Sequence, residues 1–269
     1  MSKIDRLRGF VVVTGASSGI GLDLAKLAAE DGCDLLLVAD RDLSEAEAAA
    51  RSAGAGSVET LEADLASPDG LRKLMSTIGE RQVEALLANA GHGLGDAFLD
   101  QEWKDIAHVI HTNVTGTTWL IHQIGQRMRA RNSGRILVTG SIAGHIPGSF
   151  QLVYNSTKSY VDYFCFGLRN ELKDTEVVIT CLMPGPTETE FFHRAHLEDT
   201  SVGRDDSKAD PAKVARDGYD ALLAGDAHIV SGLMNKIQDA FAGIIPDTVL
   251  AQMHRKMAKP DGDRETQSA

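Results

Sequence analysis

Tyr154 and Lys158 stand four residues apart in SIAGHIPGSFQLVYNSTK, residues 141–158. On a helix of about 3.6 residues per turn, that spacing puts a phenol and an ammonium on one face, where both heads reach the same ligand. A phenol ordinarily gives up its proton near pH 10, too high for acid–base work in neutral solution, and an adjacent ammonium favours the phenolate. Lys158 is therefore expected to lower the pKa of Tyr154 and to make it a proton donor and acceptor. Ser141 follows the apolar run RILVTG, which reads as a buried strand. Its hydroxyl is expected at a strand's carboxyl end, where open α/β sheets bind ligands, and there it can hydrogen-bond a carbonyl oxygen. Tyr-x-x-x-Lys is a common spacing on solvated helices, so its meaning depends on the elements that hold it.

The first of those elements is FVVVT at 10–14, which breaks into Gly15-Ala16-Ser17-Ser18-Gly19-Ile20-Gly21 and then into LDLAKLAAE with helical apolar spacing. This is a strand, a glycine-rich turn and a helix. Gly15 permits the tight turn, while Gly19 and Gly21 let backbone and helix approach a pyrophosphate whose charge meets the helix N-terminus. A second strand, DLLLVAD, ends at Asp40, nineteen residues beyond Gly21. An acidic residue at that distance grips a ribose 2′-hydroxyl. Its neighbour Arg41 would attract a 2′-phosphate or stack on adenine, so the pair argues both ways. The carboxylate carries more weight, making NAD the expected cofactor and NADP the alternative.

Further buried runs follow: VETLEAD closing at Asp64-Leu65, VEALLANAG ending in Asn89-Ala90-Gly91, GRILVTG, EVVITCLMPG broken by Pro184-Gly185-Pro186, and AHIVSG. Helical patterns separate them. One spans Trp103 to Arg131, and its middle, HTNVTGTT, is so rich in poor helix formers that Asn113 is expected in a locally distorted turn. Strand alternating with helix predicts an α/β fold of the Rossmann type, a doubly wound parallel sheet in three α/β/α layers. One domain is expected over residues 1–258. Within it, 187–210 is polar and charged but carries Phe191, Phe192 and Leu197, the composition of a mobile substrate lid. Residues 259–269 read as a polar, disordered tail.

The chain's 269 residues, 43% of them hydrophobic, suffice for one substantial core. Lys and Arg number 27 against 38 Asp and Glu, a net charge of −11, which argues against nucleic acid and anionic lipid as partners. MSKIDRLRGF has no apolar h-region, and no uncharged run is long enough to span a bilayer, so a cytoplasmic protein is expected. Cys33, Cys165 and Cys181 are widely separated and form no disulfide or zinc pattern. The nine histidines show no tight ligand pattern with carboxylates beyond the loose His193-x-x-His196, so no metal site is expected.

In their joint order and spacing, TGASSGIG at 14–21, Asp64-Leu65, NAG at 89–91, Asn113, Ser141, Tyr154-x-x-x-Lys158 and Pro184-Gly185 resemble the short-chain dehydrogenase/reductase family. The resemblance covers about residues 9–232. It implies an oxidoreductase that passes a hydride between a nicotinamide cofactor and a small secondary alcohol or ketone. Asn113, Ser141, Tyr154 and Lys158 then resemble the catalytic tetrad: Ser141 and Tyr154 bind the substrate oxygen, Lys158 also reaches the nicotinamide ribose, and Asn113 holds a relay water. The same likeness gives the loop Gly15, Ser17, Ser18, Gly19, Ile20 and Gly21 to the pyrophosphate, and Asp40 and Arg41 to the adenosine ribose. Asp64 and Leu65 go to adenine, Asn89, Ala90 and Gly91 to the ribose side, and Pro184, Gly185 and Thr187 to the nicotinamide end. A homodimer or homotetramer is also implied.

Two positions depart from the family pattern. Ala88 stands where many members have Asn, and relatives with Gly-Pro-Thr after the last long strand often carry Arg in place of Asp40, which keeps NADP open. Flanking the catalytic positions, His92 to Leu94, His145 to Pro147, Phe150, Gln151, Phe191 and Phe192 are expected to shape the substrate pocket. A non-catalytic nucleotide-binding regulator is the competing reading. The complete set of Asn113, Ser141, Tyr154 and Lys158 argues against it.

Overall fold

The computed structural model describes residues 3–195, 197–205, 207–232 and 245–260. Seven short runs rich in Val, Ile and Leu pair in parallel: β1 (Phe10–Thr14), β2 (Asp34–Ala39), β3 (Ser57–Glu62), β4 (Val83–Ala88), β5 (Gly134–Thr139), β6 (Val177–Met183) and β7 (His228–Val230). Every residue of β1, β5 and β6 is buried, as expected of strands covered on both faces. Their order is β3-β2-β1-β4-β5-β6-β7, so the winding reverses between β1 and β4. That reversal opens a crevice at the strands' carboxyl ends.

Alternate residues of each strand feed two separate cores. On one face Val11, Val13, Leu35 and Leu37 meet α1 (Gly19–Glu30), α2 (Ser44–Ala53) and α8 (Pro211–Ala224) through Leu24, Ala46 and Tyr219. On the other, Val12, Leu36 and Leu86 meet α3 (Pro68–Ile78), α5 (Thr117–Ala130) and α6 (Leu152–Glu171) through Leu74, Ile124 and Val161. The expected three-layer α/β architecture is therefore the one observed. Among the described residues, no helix is long and apolar enough to cross a membrane.

The long helix expected over 103–131 is interrupted. It runs as α4 (Trp103–Ile110), a π-helical turn at His111–Gly116, and α5. Thr, Asn and Gly weaken the helix there, and Gly116 lies so close to the Leu65 carbonyl that a side chain would collide with it. The segment after β6 forms one short helix, α7 (Phe191–Arg194), and closes on itself through a bridge between Thr187 and Ala209. It carries its own small core of Phe192, Ala195 and Leu197, more ordered packing than its polar composition suggests. A helix at Asp247–Ala258 follows. His196 and residues 261–269, the greater part of the expected tail, lie outside the described residues.

Candidate active site

The site forms where β1, β4, β5 and β6 end. Gly15 and Gly19 adopt left-handed φ values of 66° and 54°, which L-side chains rarely accept. A Cβ at Gly21 would strike the Gly15 carbonyl, so this glycine allows α1 to start directly against the turn. Asn89 braces the arrangement from β4, donating through Nδ2 to Gly15 O at 3.3 Å and accepting through Oδ1 from Thr139 Oγ1 at 3.0 Å. Thr14 Oγ1 accepts from the amides of Asn89 and Ala90, both at 3.1 Å. The glycine turn, the Asn-Ala-Gly turn and the end of β5 thus form one hydrogen-bonded rim.

A cavity of about 830 Å³ runs along this rim. At one end it is lined by Gly15, Ser17, Ser18, Gly19, Ile20, Asp40, Asp64 and Leu65, and along its floor by Asn89, Ala90 and Gly91. At the other end stand Ser141, Gln151, Tyr154, Lys158, Pro184, Gly185 and Thr187, with Phe191 and Phe192 as a roof and His92 at the side. Most residues singled out in the sequence therefore share one cavity, whose volume and glycine-rich lining suit a dinucleotide. Among the described residues, no cluster of acidic, histidine and cysteine side chains is placed to hold a metal ion.

Seven of the expected residues lie elsewhere. Gly21 sits beneath the cavity floor, for the packing reason above. Arg41 lies outside the lining and is exposed, folded back on Asp40 at 3.3 Å. His145 ends the turn that follows Ser141 and faces the buried Asp162, with Nε2 3.9 Å from Oδ2. Phe150 takes a left-handed φ of 66°, and its ring packs under Arg255 of the C-terminal helix at 5.0 Å. Asn113 is buried behind the cavity wall in the π-helical turn, where it accepts from the His92 amide and donates to the His92 carbonyl and to Thr157 Oγ1, each bond 2.8 or 2.9 Å. Those bonds fasten the Gly91–His92 turn to α6. Of the other pocket residues expected, Gly93 and Ile146 line the cavity, whereas Leu94 and Pro147 do not.

The electrostatics correct the expectation for Tyr154. The walls around it desolvate the phenol and push its pKa up to about 12, against a hydrogen bond with Ser141 that lowers it, while the charge of Asp162 adds to the rise. Lys158 donates to Thr139 O at 2.7 Å, and its ammonium lies 5.8 Å from the centre of the Tyr154 ring. Burial also depresses the pKa of Lys158 itself. Desolvation is thus the largest influence on both groups. Ser141 is held for its role by the adjacent backbone: its Oγ accepts from Ala143 N at 3.1 Å and donates to Pro184 O at 3.3 Å.

Sequence reading missed four contributors. Arg194, on the last turn of α7, reaches across the cavity to Asp40 Oδ2 at 2.7 Å and to His92 Nε2 at 3.0 Å. The His92 hydrogen bond and the Arg194 and Arg41 charges hold the Asp40 carboxyl well below the usual range despite its partial burial. Phe191, three residues earlier, lies against the Tyr154 ring with centroids 4.9 Å apart. From the C-terminal helix, His254 and Met257 also line the cavity; His254 Nδ1 bonds Ser149 O at 2.9 Å, and burial lowers the imidazole pKa. Asp162, beneath the Ser141 loop, is the fourth. A lone arginine in a charged loop, a histidine on a distant amphipathic helix and an aspartate one turn past a lysine offer no spacing that marks them.

A parallel sheet with this winding, a glycine cradle and a serine–tyrosine–lysine cluster in one cleft define a nicotinamide-dependent oxidoreductase. Residues 9–199 match the family model described as short chain dehydrogenase, and the chain belongs to that family. It is an NAD(P)-dependent dehydrogenase or reductase acting on alcohol or carbonyl groups of small molecules. An uncharacterised oxidoreductase of Staphylococcus saprophyticus is 34% identical over 72% of this chain and 80% of that protein. Human 17-beta-hydroxysteroid dehydrogenase type 1 is also 34% identical, over 70% of this chain but only 59% of its own length. Among solved structures, a short-chain dehydrogenase from Sphingobium yanoikuyae in complex with NADPH superposes with a TM-score of 0.79 at 27% identity, covering 95% of this chain and 99% of that one.

Proposed function

We propose that this protein interconverts a secondary alcohol and its ketone, with Tyr154 as the general acid and base and NAD as the favoured cofactor. The observation that supports this most is the convergence of Ser141, Tyr154 and Lys158 at the far end of the cavity whose near end is the glycine cradle. A bound nicotinamide would supply or take up the hydride. In reduction, Tyr154 gives its phenolic proton to the substrate oxygen, which the Ser141 hydroxyl also binds, so negative charge developing there meets two donors. With a pKa of about 12 in the free site, the phenol is fully protonated at neutral pH and ready to donate. Lys158 stabilises the phenolate that remains, and Asn113 positions the Gly91–His92 turn beside it.

The Asp40 carboxylate, kept ionised, supports NAD through its capacity to accept from a ribose 2′-hydroxyl. Arg41 and Arg194 flank it and give NADP a competing case, because two guanidinium groups could offset repulsion of a 2′-phosphate. The substrate end is walled by Ile142, Ile146, Phe192, Val202 and Met257, which favours a bulky apolar carbonyl compound. Residues 187–210 serve as its lid. Exposed Trp103, Leu152, Tyr160 and Tyr163 on α4 and α6 support self-association, and three buried free cysteines suit a reducing cytoplasm. The test is a panel of ketones and secondary alcohols with both cofactors, read by nicotinamide absorbance. No turnover with any pair would overturn the reading, and tighter NADP than NAD would overturn the cofactor choice.

A further inference from the structure

The loop that carries Ser141 is wrapped around a carboxylate. Asp162 lies on α6, one turn beyond Lys158 and two beyond Tyr154, and is 0% exposed. Its Oδ1 accepts from the Ser141 amide at 3.4 Å and from the Cys181 thiol on β6 at 3.3 Å. Its Oδ2 is buried, accepts no hydrogen bond, and lies 3.9 Å from His145 Nε2. The glycines on either side of Ser141 make the space: a Cβ at Gly140 would collide with Oδ1, and one at Gly144 would come within 2.5 Å of Oδ2.

An ionised group without a full set of partners costs free energy in a protein interior, and an apolar or amide side chain of similar size usually fits such a place at less cost. Lys158 is buried beside it and depends on nearby negative charge to stay protonated; among its neighbours, Asp162 acts most strongly in that direction. The two facts are complementary. We propose that Asp162 is a positioning residue of the hydride-transfer site, fixing the Ser141 loop and keeping the Lys158 ammonium charged. Groups facing its carboxylate are Lys158 on the same helix, Cys181 on β6 and His145 on the Ser141 turn, while Cys165 bears on Cys181 and Lys158 and Tyr154 senses the charge. Burial, the largest influence, raises the Asp162 pKa to about 6. The carboxylate form therefore prevails at neutral pH and is lost in mild acid.

This inference rests on the proposed hydride-transfer reading. The experiment is the pH profile of kcat and KM for the unaltered protein, Asp162→Asn and Cys181→Ala, with cofactor Kd measured alongside by titration. Asp162→Asn should lower kcat by about ten-fold or more near neutral pH and move its alkaline limb downward, because Lys158 loses the charge that raises its pKa. KM and cofactor Kd should stay within about two-fold, since Asp162 does not line the cavity. Cys181→Ala removes a hydrogen bond that favours the carboxylate, so the acid limb should move upward; this arm serves if the first variant fails to fold. Profiles of a folded variant that superimpose on that of the active unaltered protein would overturn this inference alone. Absence of turnover in the unaltered protein would overturn it together with the hydride-transfer reading.

Discussion

At the residue scale, the half-buried Tyr154 and the buried Asp162 oppose what their chemistry favours in water. Tyr154, the proton donor of the proposed reaction, is harder to ionise than a free phenol because its surroundings exclude water. Tyr154→Phe should leave cofactor binding within about two-fold and abolish nicotinamide-linked turnover; a folded variant that keeps more than about a tenth of the activity would remove Tyr154 from the proposed role. Asp162 makes a second, thermodynamic prediction. Its folded-state pKa is raised from 3.8 to about 6, so the fold binds this proton more tightly than the unfolded chain does. Its contribution is most favourable below about pH 4 and declines as pH rises through about 6, leaving an ionisation cost of roughly 3 kcal/mol at higher pH. Asp162→Asn should therefore raise Tm relative to the unaltered protein by several degrees near pH 8, and by much less near pH 4. Calorimetry at both values checks the sign, and a gain confined to the acid side would refute it.

At the element scale, the π-helical turn and the proposed lid each carry a prediction. The sequence announces the first, since Thr, Asn and Gly crowd one short stretch of a helix, and Asn113 is found there. What it hides is the reason: Gly116 must let the helix pass the Leu65 carbonyl, a contact between segments about fifty residues apart. Gly116→Ala should accordingly cost stability, on the order of 2 kcal/mol by overpacking, with the loss read from chemical denaturation. The lid was legible only as a charged, aromatic-bearing segment. Its grip on Asp40 through Arg194 depends on tertiary placement that no local pattern encodes. Arg194→Ala should speed NAD association several-fold in stopped-flow binding, because it removes a part-buried ion pair spanning the cleft. An unchanged or slower association rate would mean that the lid already opens freely.

At the scale of the whole molecule, all seven strands and their parallel winding follow from runs of Val, Ile and Leu at regular intervals, and the crevice follows from the reversal of strand order. The glycine cradle and the Ser141–Tyr154–Lys158 cluster were readable because backbone geometry and helix spacing constrain residue type along the chain. His145 and Phe150 were misplaced because neighbours in sequence need not face the same space, and a single left-handed residue sufficed to separate Phe150 from the cavity. His254 was missed because it arrives from the far end of the chain, about a hundred residues after the tyrosine it approaches. The exposed aromatic face on α4 and α6 carries its own prediction. Tyr163 is 67% exposed on α6. Tyr163→Asp should lower the sedimentation mass if copies associate there, and an unchanged mass would place the contact elsewhere.

The four residues of α7 hold Arg194 against Asp40 at one end of the cleft and Phe191 against Tyr154 at the other. A movement of α7 as one body would therefore unroof both ends together. A mononucleotide fragment representing either half of the dinucleotide must displace the whole turn for a fraction of the contacts, whereas the intact molecule displaces it once. The free energies of the two fragments should consequently sum to less than that of the joined compound, by the work of lifting that turn together with the association entropy that each fragment pays separately.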